Sequence, residues 1–413
     1  MEYLTYVLLL TRSSLDLPLE LTRFDVGSVD ITLGAVLNVI VVAIAGFAVG
    51  FRRGSALPLI VWFPFLSIAL CSISYAPDKI AGARLFMTFL SYVALFAIPF
   101  FVTPSFRSRG LFIYAVIWAS VGPAVFGVVE YAALLDASGR IKSTFPHPNI
   151  FAFYLVNTIT VILFALTSRC ITLARSTRTL LVIYVAVLLV LLILTQTRAA
   201  WLGCFVVLTT YTAMVDRRYL IVLLFLPLVL FVPTVSERLD SLGTGTAYVP
   251  GESLNSYAWR QVLWDHAFED VQDEIMLGKG LSSFRTNSPK FFPLEEDSRD
   301  AHSGYVQAIY ETGLVGLVCY MFIHLTTLVL GWRCGGIDRP GSLVVMSGIV
   351  AHMLANYSDN VPYYLSYNWY YWGFIGTVFS LWKYWAHDRA TKRNHPNSTK
   401  VSARKGRASY AVG

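Results

Sequence analysis

The sequence predicts an all-α, polytopic membrane protein: a bundle of about 11–12 transmembrane helices with one long polar loop. Three observations predict it. Of the 413 residues, 56% are hydrophobic and only 14% charged, with a mean hydropathy of +0.59, whereas soluble domains run near ~25% charged. Apolar stretches recur along the chain, each near the ~20 residues needed to cross a bilayer core. Lysines and arginines gather in alternate turns between those stretches.

In chain order, residues 1–29 are ambiguous. Met1–Leu10 is apolar but too short to span, and Arg12, Asp16, Glu20, Arg23 and Asp25 interrupt the stretch after it. The segment reads either as a short first crossing or as an interfacial one. Glu2, with no basic residue before the apolar run, is unlike a cleavable signal peptide. Clear spans come next at 30–51, 55–75, 84–104, 110–135, 149–168, 179–197, 199–215, 219–234, 303–331, 341–357 and 367–385. No internal repeat is visible. Four regions result: N-terminal transmembrane helices (1–234), an outer loop (235–302), C-terminal transmembrane helices (303–385) and a basic tail (386–413).

Arg52/Arg53, Arg107/Arg109, Arg169/Arg175/Arg178, Arg217/Arg218, Arg333/Arg339 and the tail from Lys383 to Arg407 fall on one side of the membrane. The opposite turns hold fewer cations: Lys79 and Arg84, Arg140 and Lys142, Arg198, and none at 358–366. The positive-inside rule then places the tail in the cytoplasm and the loop outside. The formal charge of +7 follows from this topology and gives no reason to expect nucleic acid. Five scattered cysteines show no metal-ligand spacing and predict no disulfide framework. The polar tail reads as disordered and lipid-hugging.

Within the outer loop, Trp259, Val262/Leu263, His266/Ala267 and Val271 recur at helical steps. This amphipathic helix over 253–277 is suited to lie on the membrane or cap the bundle, with Asn255 or Ser256 at its start. Gly278-Lys279-Gly280 ends it, and lacks the rest of a phosphate loop. Glu295-Glu296-Asp297 reads as a solvated charge run, and no metal site is expected.

Three outward-facing stations are candidates to carry chemistry. In Ser143-Thr144-Phe145-Pro146-His147-Pro148-Asn149, the prolines and Asn149 start a helix, but His147 is an unforced polar choice at the interface. Arg198 in Thr195-Gln196-Thr197-Arg198-Ala199-Ala200-Trp201 lies between two apolar stretches, so it either snorkels or faces a wet cavity. Arg260, on the helical face of Trp264 and Ala267, points inward or into solvent. His302, in Asp300-Ala301-His302-Ser303-Gly304-Tyr305, marks the crossing from polar loop to apolar helix. As a cap it is structural; with Asp300 orienting its imidazole, it is a candidate general base. Two arginines and a histidine suit a lipid diphosphate, because the guanidinium fork matches phosphate oxygens and stabilises leaving-group charge.

These residues, with Thr197-Arg198-Ala199-Ala200-Trp201-Leu202-Gly203, Gly278-Lys279-Gly280-Leu281 and Glu311-Thr312-Gly313, resemble the O-antigen ligase and polysaccharide polymerase superfamily of bacterial envelope enzymes. The resemblance runs from about residue 30 to 385. Pro146 stands where glycine is usual, and Ser303 where asparagine is common after the histidine. The resemblance implies a GT-C-like, metal-independent, inverting glycosyltransferase without a cofactor, in the bacterial inner membrane with its site facing the periplasm. Its donor would be an undecaprenyl-diphosphate-linked glycan, and its acceptor lipid A-core or another lipid-linked glycan. Carried over, Arg198 and Arg260 hold the diphosphate and His302 serves the acceptor hydroxyl, while His147, Asn149, Asp300 and Tyr305 line the site. Two other classes compete. An anionic-lipid flippase calls for ionisable residues mid-span and internal repeats, and a non-catalytic scaffold predicts that His302 and Arg198 are dispensable.

Overall fold

The computed structural model describes residues 2–26, 29–52, 54–101, 106–133, 139–217, 256–294 and 297–394. The expected span at 219–234, the first part of the loop at 235–255, Glu295, Glu296 and the tail beyond 394 lie outside the described residues.

The N-terminus docks rather than crosses. Helix α1 (Glu2–Arg12) has 11 residues, about 16 Å of helix, too little for a span. It leads into α2 (Asp16–Leu21) and a small antiparallel hairpin, β1 (Arg23–Val26) with β2 (Val29–Thr32). Arg12 is buried and pairs with Asp16 at 2.9 Å. Its guanidinium also lies 5.7 Å from the centre of the Trp369 ring. Thr144 donates its hydroxyl to Ser13 O at 2.6 Å, tying this end to the 143–149 loop.

The bundle proper comprises α3 (Leu33–Phe51), α4 (Leu57–Ser72), α5 (Lys79–Phe101), α6 (Phe106–Ala119), α7 (Val121–Ala133), α8 (Pro148–Thr167), α9 (Arg175–Leu194) and α10 (Arg198–Thr210). After it come α11 (Ser256–Val271), α12 (Ser283–Phe291), α13 (Gly304–Cys334), α14 (Arg339–Ser358) and α15 (Leu365–Asn394). The expected span 110–135 is present as one apolar stretch, Gly110–Ala133, long enough to cross, with a turn at Ser120 separating α6 from α7 just before Gly122-Pro123.

Among the described residues, eight helical stretches are long and apolar enough to cross a membrane. Helices α14 and α15, at 341–357 and 367–385 in the sequence reading, are long but fall below that apolarity. The reason is their position. Residues 366–382 of α15 are buried throughout, with Trp369, Tyr370, Tyr371 and Trp372 in the core. A helix wrapped in protein does not answer to lipid, so Asn368 and the aromatic hydroxyls are tolerated once bonded. Gly376 lets α15 approach α5 closely, since a Cβ there would meet Phe96 O at 2.2 Å.

Helix α13 is interrupted at Gly313, whose φ of 70° and ψ of −175° leave the helical region. The freed backbone groups are taken up by the segment after α11. Lys279 N donates to Tyr310 O at 2.8 Å and Gly280 N to Glu311 O at 3.0 Å. Leu314 N donates to Ile275 O at 2.9 Å and Val315 N to Met276 O at 3.3 Å. Such a break is stable only where other chain satisfies it. Gly278-Lys279-Gly280 and Glu311-Thr312-Gly313 are therefore two halves of one joint. Helix α11 itself ends at Val271, before the glycines, which instead supply left-handed backbone with φ of 71° and 98°.

Candidate functional site

Helix α11 caps the bundle. Its stripe, Leu263, Ala267 and Val271, packs with Phe284, Phe292, Ala301, Val306 and Tyr310 in a satellite core. Trp264 Nε1 donates to Ala301 O at 2.7 Å. These contacts hold the start of α11 over the mouth formed by α8, α10 and α14.

Beneath it lies a cavity of about 510 Å³. Its lining includes Arg140, His147, Asn149, Arg198, Arg260, His302 and Asp359. Five of the seven sequence-predicted site residues thus share one wall-to-wall space. Asp300 and Tyr305 do not line it. Tyr305 donates to Met353 O at 2.8 Å, which ties α13 to α14. Asp300 feels the charge of Arg285 as well as His302, and burial raises its pKa above the ordinary carboxylate value. The carboxylate that faces His302 is another: Asp359 Oδ1, 3.7 Å from Nδ1.

Arg140 and Asp359 are the two charged lining residues that the sequence does not mark as site members. Arg140 Nε donates to Thr195 O at 2.9 Å, and its Nη2 to Asn149 Oδ1 at 2.8 Å and Thr197 Oγ1 at 3.2 Å. The signal for Arg140 was a cation in an outer turn; for Asp359 it was a lone acid in the outer turn without cations. Asp359 is 2% exposed. It accepts from Asn149 Nδ2, from the Tyr364 hydroxyl at 2.6 Å and from Asn360 N at 2.9 Å. Burial pulls its pKa up, but His302, Tyr364 and Asn360 outweigh that and hold it below the ordinary value.

Local sequence explains the other placements. His147 is the N-cap of α8, its Nδ1 accepting from Asn149 N at 3.1 Å, with Pro148 opening the helix. The capping role and the cavity position coexist. Burial lowers the His147 pKa; Asp359 opposes this, and Arg140, His302 and Lys142 add to it. Arg198 is the first residue of α10, where a cation opposes the helix dipole, so helix formation does not ask for it. Its Nη2 donates to Ser256 Oγ at 3.0 Å, linking α10 to α11. His302 holds a left-handed φ of 49°, and Trp259 packs edge-on against its ring at 5.6 Å. That backbone costs a non-glycine residue roughly 1 kcal/mol.

Helices α8, α10 and α11 all begin at this cavity, so three positive helix ends face the same space as three guanidinium groups. Among the lining residues, the single buried carboxylate of Asp359 offsets them. Such a field suits a polyanionic group. Among the described residues no group of three or more His, Cys, Asp and Glu is gathered that could hold a metal ion.

Residues 183–321 match the family described as O-Antigen ligase. No curated protein matches the chain. The matched residues run from α9 to the middle of α13, taking in Arg198, Arg260, the 278–280 joint and His302, and omitting Arg140, His147, Asn149 and Asp359. The chain is thus a multi-pass membrane protein whose residues 183–321 are similar to the O-antigen ligase family.

Proposed function

We propose that the protein transfers a glycan from an undecaprenyl-diphosphate donor to a sugar hydroxyl of lipid A-core, with inversion, at the periplasmic face of the bacterial inner membrane. The observation that carries this reading is the convergence of Arg198, Arg260 and His302 in one cavity with Asp359 beneath the imidazole. Arg198 and Arg260, joined by Arg140, hold the diphosphate and stabilise the charge that develops on it. The acceptor oxygen attacks the anomeric carbon as the bond to the diphosphate oxygen breaks, and the leaving diphosphate keeps the electron pair. His302 takes the hydroxyl proton, with Nδ1 turned to Asp359 and Nε2 left for the acceptor.

A polymerase would use the same groups with a second lipid-linked glycan as acceptor. Purified protein incubated with lipid-linked repeat units, with and without lipid A-core, separates the two. Glycan on the core identifies a ligase, and chain growth without core a polymerase. His302→Ala and Arg198→Ala are expected to abolish either product at normal protein levels, and full activity in either variant sinks the mechanism.

The broken helix α13, with buried Glu311 beside the break, favours one competing reading, a flippase. Movement of labelled lipid-linked sugar across reconstituted vesicles, without any transfer product, would establish that instead.

A further inference from the structure

Behind the cavity wall, one amide ties together the two loops that bring His302 and Asp359 face to face. Gln307, one turn into α13, is 2% exposed. Its Oε1 accepts from Ala301 N at 2.9 Å and from Asn360 Nδ2 at 3.2 Å. Those donors are the residue before His302 and the residue after Asp359. Its Nε2 donates to Glu311 Oε1 at 2.6 Å and to the Tyr363 hydroxyl at 3.0 Å, while Tyr363 donates to Glu311 Oε2. An amide offers two donor hydrogens and two lone pairs, and all four are used. Glu311, also 2% exposed, fixes which way the amide faces: its Oε1 accepts from the NH₂ and its Oε2 from the Tyr363 hydroxyl, which leaves the amide oxygen for the two loops.

We infer that Gln307, oriented by Glu311 and Tyr363, is a positioning residue that keeps His302 and Asp359 in register. The inference rests on the transfer reading above for its consequence, but its structural content does not depend on it. His302 needs such a clamp because its left-handed φ is unfavourable and its side chain stands partly open to the cavity. Its neighbours are pinned on both sides: Ala301 by Gln307 and Trp264, and Gly304 N by Asp359 O at 3.1 Å. Gln307 touches none of the cavity, whereas Arg198 and Arg260 reach it from other helices. Loosening the clamp should therefore impair the step that uses His302 and leave donor binding in place.

The test uses full-length protein in nanodiscs, with a lipid-linked repeat unit as donor and lipid A-core or a second repeat unit as acceptor. Gln307→Leu and Gln307→Glu, the latter setting two carboxylates against each other, are expected to lower kcat by up to roughly 100-fold, the scale of a small misplacement of a reacting group. Donor KM is expected to stay within a few-fold. The exchange Q307E/E311Q restores one acceptor facing the loops and one donor–acceptor pair behind it, and is expected to recover most of the lost kcat. An unchanged kcat in Gln307→Leu, a donor KM that rises as kcat falls, or an exchange variant no better than Gln307→Glu each overturns the clamp. Should Gln307→Leu not fold, Gln307→Glu and the exchange give the same reading.

A second readout needs no turnover: the rate at which diethylpyrocarbonate modifies His302, followed by mass spectrometry. It is expected to change several-fold in Gln307→Glu and return in the exchange variant. Variants that show this pattern, in a protein whose wild type transfers no glycan, would overturn the proposed function and keep the clamp. Wild type that transfers, with modification rates unaltered in every variant, does the reverse.

Discussion

Each cavity side chain has a distinct physical task. On the proposed reading Arg198 binds the donor through a planar fork, so Arg198→Lys keeps the charge and loses the bidentate geometry. Donor affinity is expected to fall about tenfold, equivalent to ~1.4 kcal/mol, read by titration of the lipid-linked repeat unit. Asp359 balances the guanidinium groups and faces the imidazole. Asp359→Asn preserves its shape while setting an amide donor against Asn149 or Tyr364, and kcat is expected to fall at least tenfold, the lower end of what a lost acid–base contribution removes. His147 gives a pH signature. Its folded pKa lies below the ordinary histidine value, so acidification through about 6.5 protonates the unfolded chain first and stability is lost as pH falls. Asp359, depressed, loses its contribution only below the ordinary carboxylate range. Wild type should therefore lose more melting temperature between pH 7 and pH 5 than His147→Gln does. Equal losses would remove His147 from that balance.

At the scale of elements, the outer segment and α13 form one joint, made of backbone rather than side chains. A Cβ at Gly313 would lie 2.1 Å from Met276 O, and one at Gly278 would lie 2.7 Å from the Glu311 carbonyl carbon. Both glycines also hold positive φ. Gly313→Ala is therefore expected to cost at least ~2 kcal/mol, the left-handed penalty plus the displaced hydrogen bonds. The melting temperature in detergent should drop accordingly, and an unchanged value would show that the joint yields. Both glycine motifs are visible in the sequence, one reading as a helix stop and the other only as part of a resemblance. Their partnership spans about thirty residues of sequence, and no local periodicity reports a backbone pairing of that kind.

At the scale of the whole molecule, the charge asymmetry of the turns leads us to expect the cavity outside and the tail inside. A cysteine introduced at Tyr257, on the exposed edge of α11, in a protein whose five native cysteines are replaced by Ser or Ala, should react with an impermeant maleimide added to intact spheroplasts. A cysteine at Arg178, at the start of α9, should react only after lysis. The opposite pattern inverts the topology and removes the periplasmic reading of the cavity.

The sequence by itself determined the membrane class, the positions of most helices and five of the cavity residues, because hydrophobic length and charge asymmetry are written locally. Polar residues stranded between apolar runs were equally visible, for the same reason. Only the tertiary structure decided that α15 lies buried at the centre, that Asp359 rather than Asp300 faces His302, and that Arg140 joins the site. Those outcomes depend on which helices pack together and which termini meet. His302, first visible as a histidine at a polar-to-apolar junction, takes its meaning from a carboxylate 57 positions further along the chain. A contact over that separation follows from packing, since neither residue's neighbours in sequence specify the other.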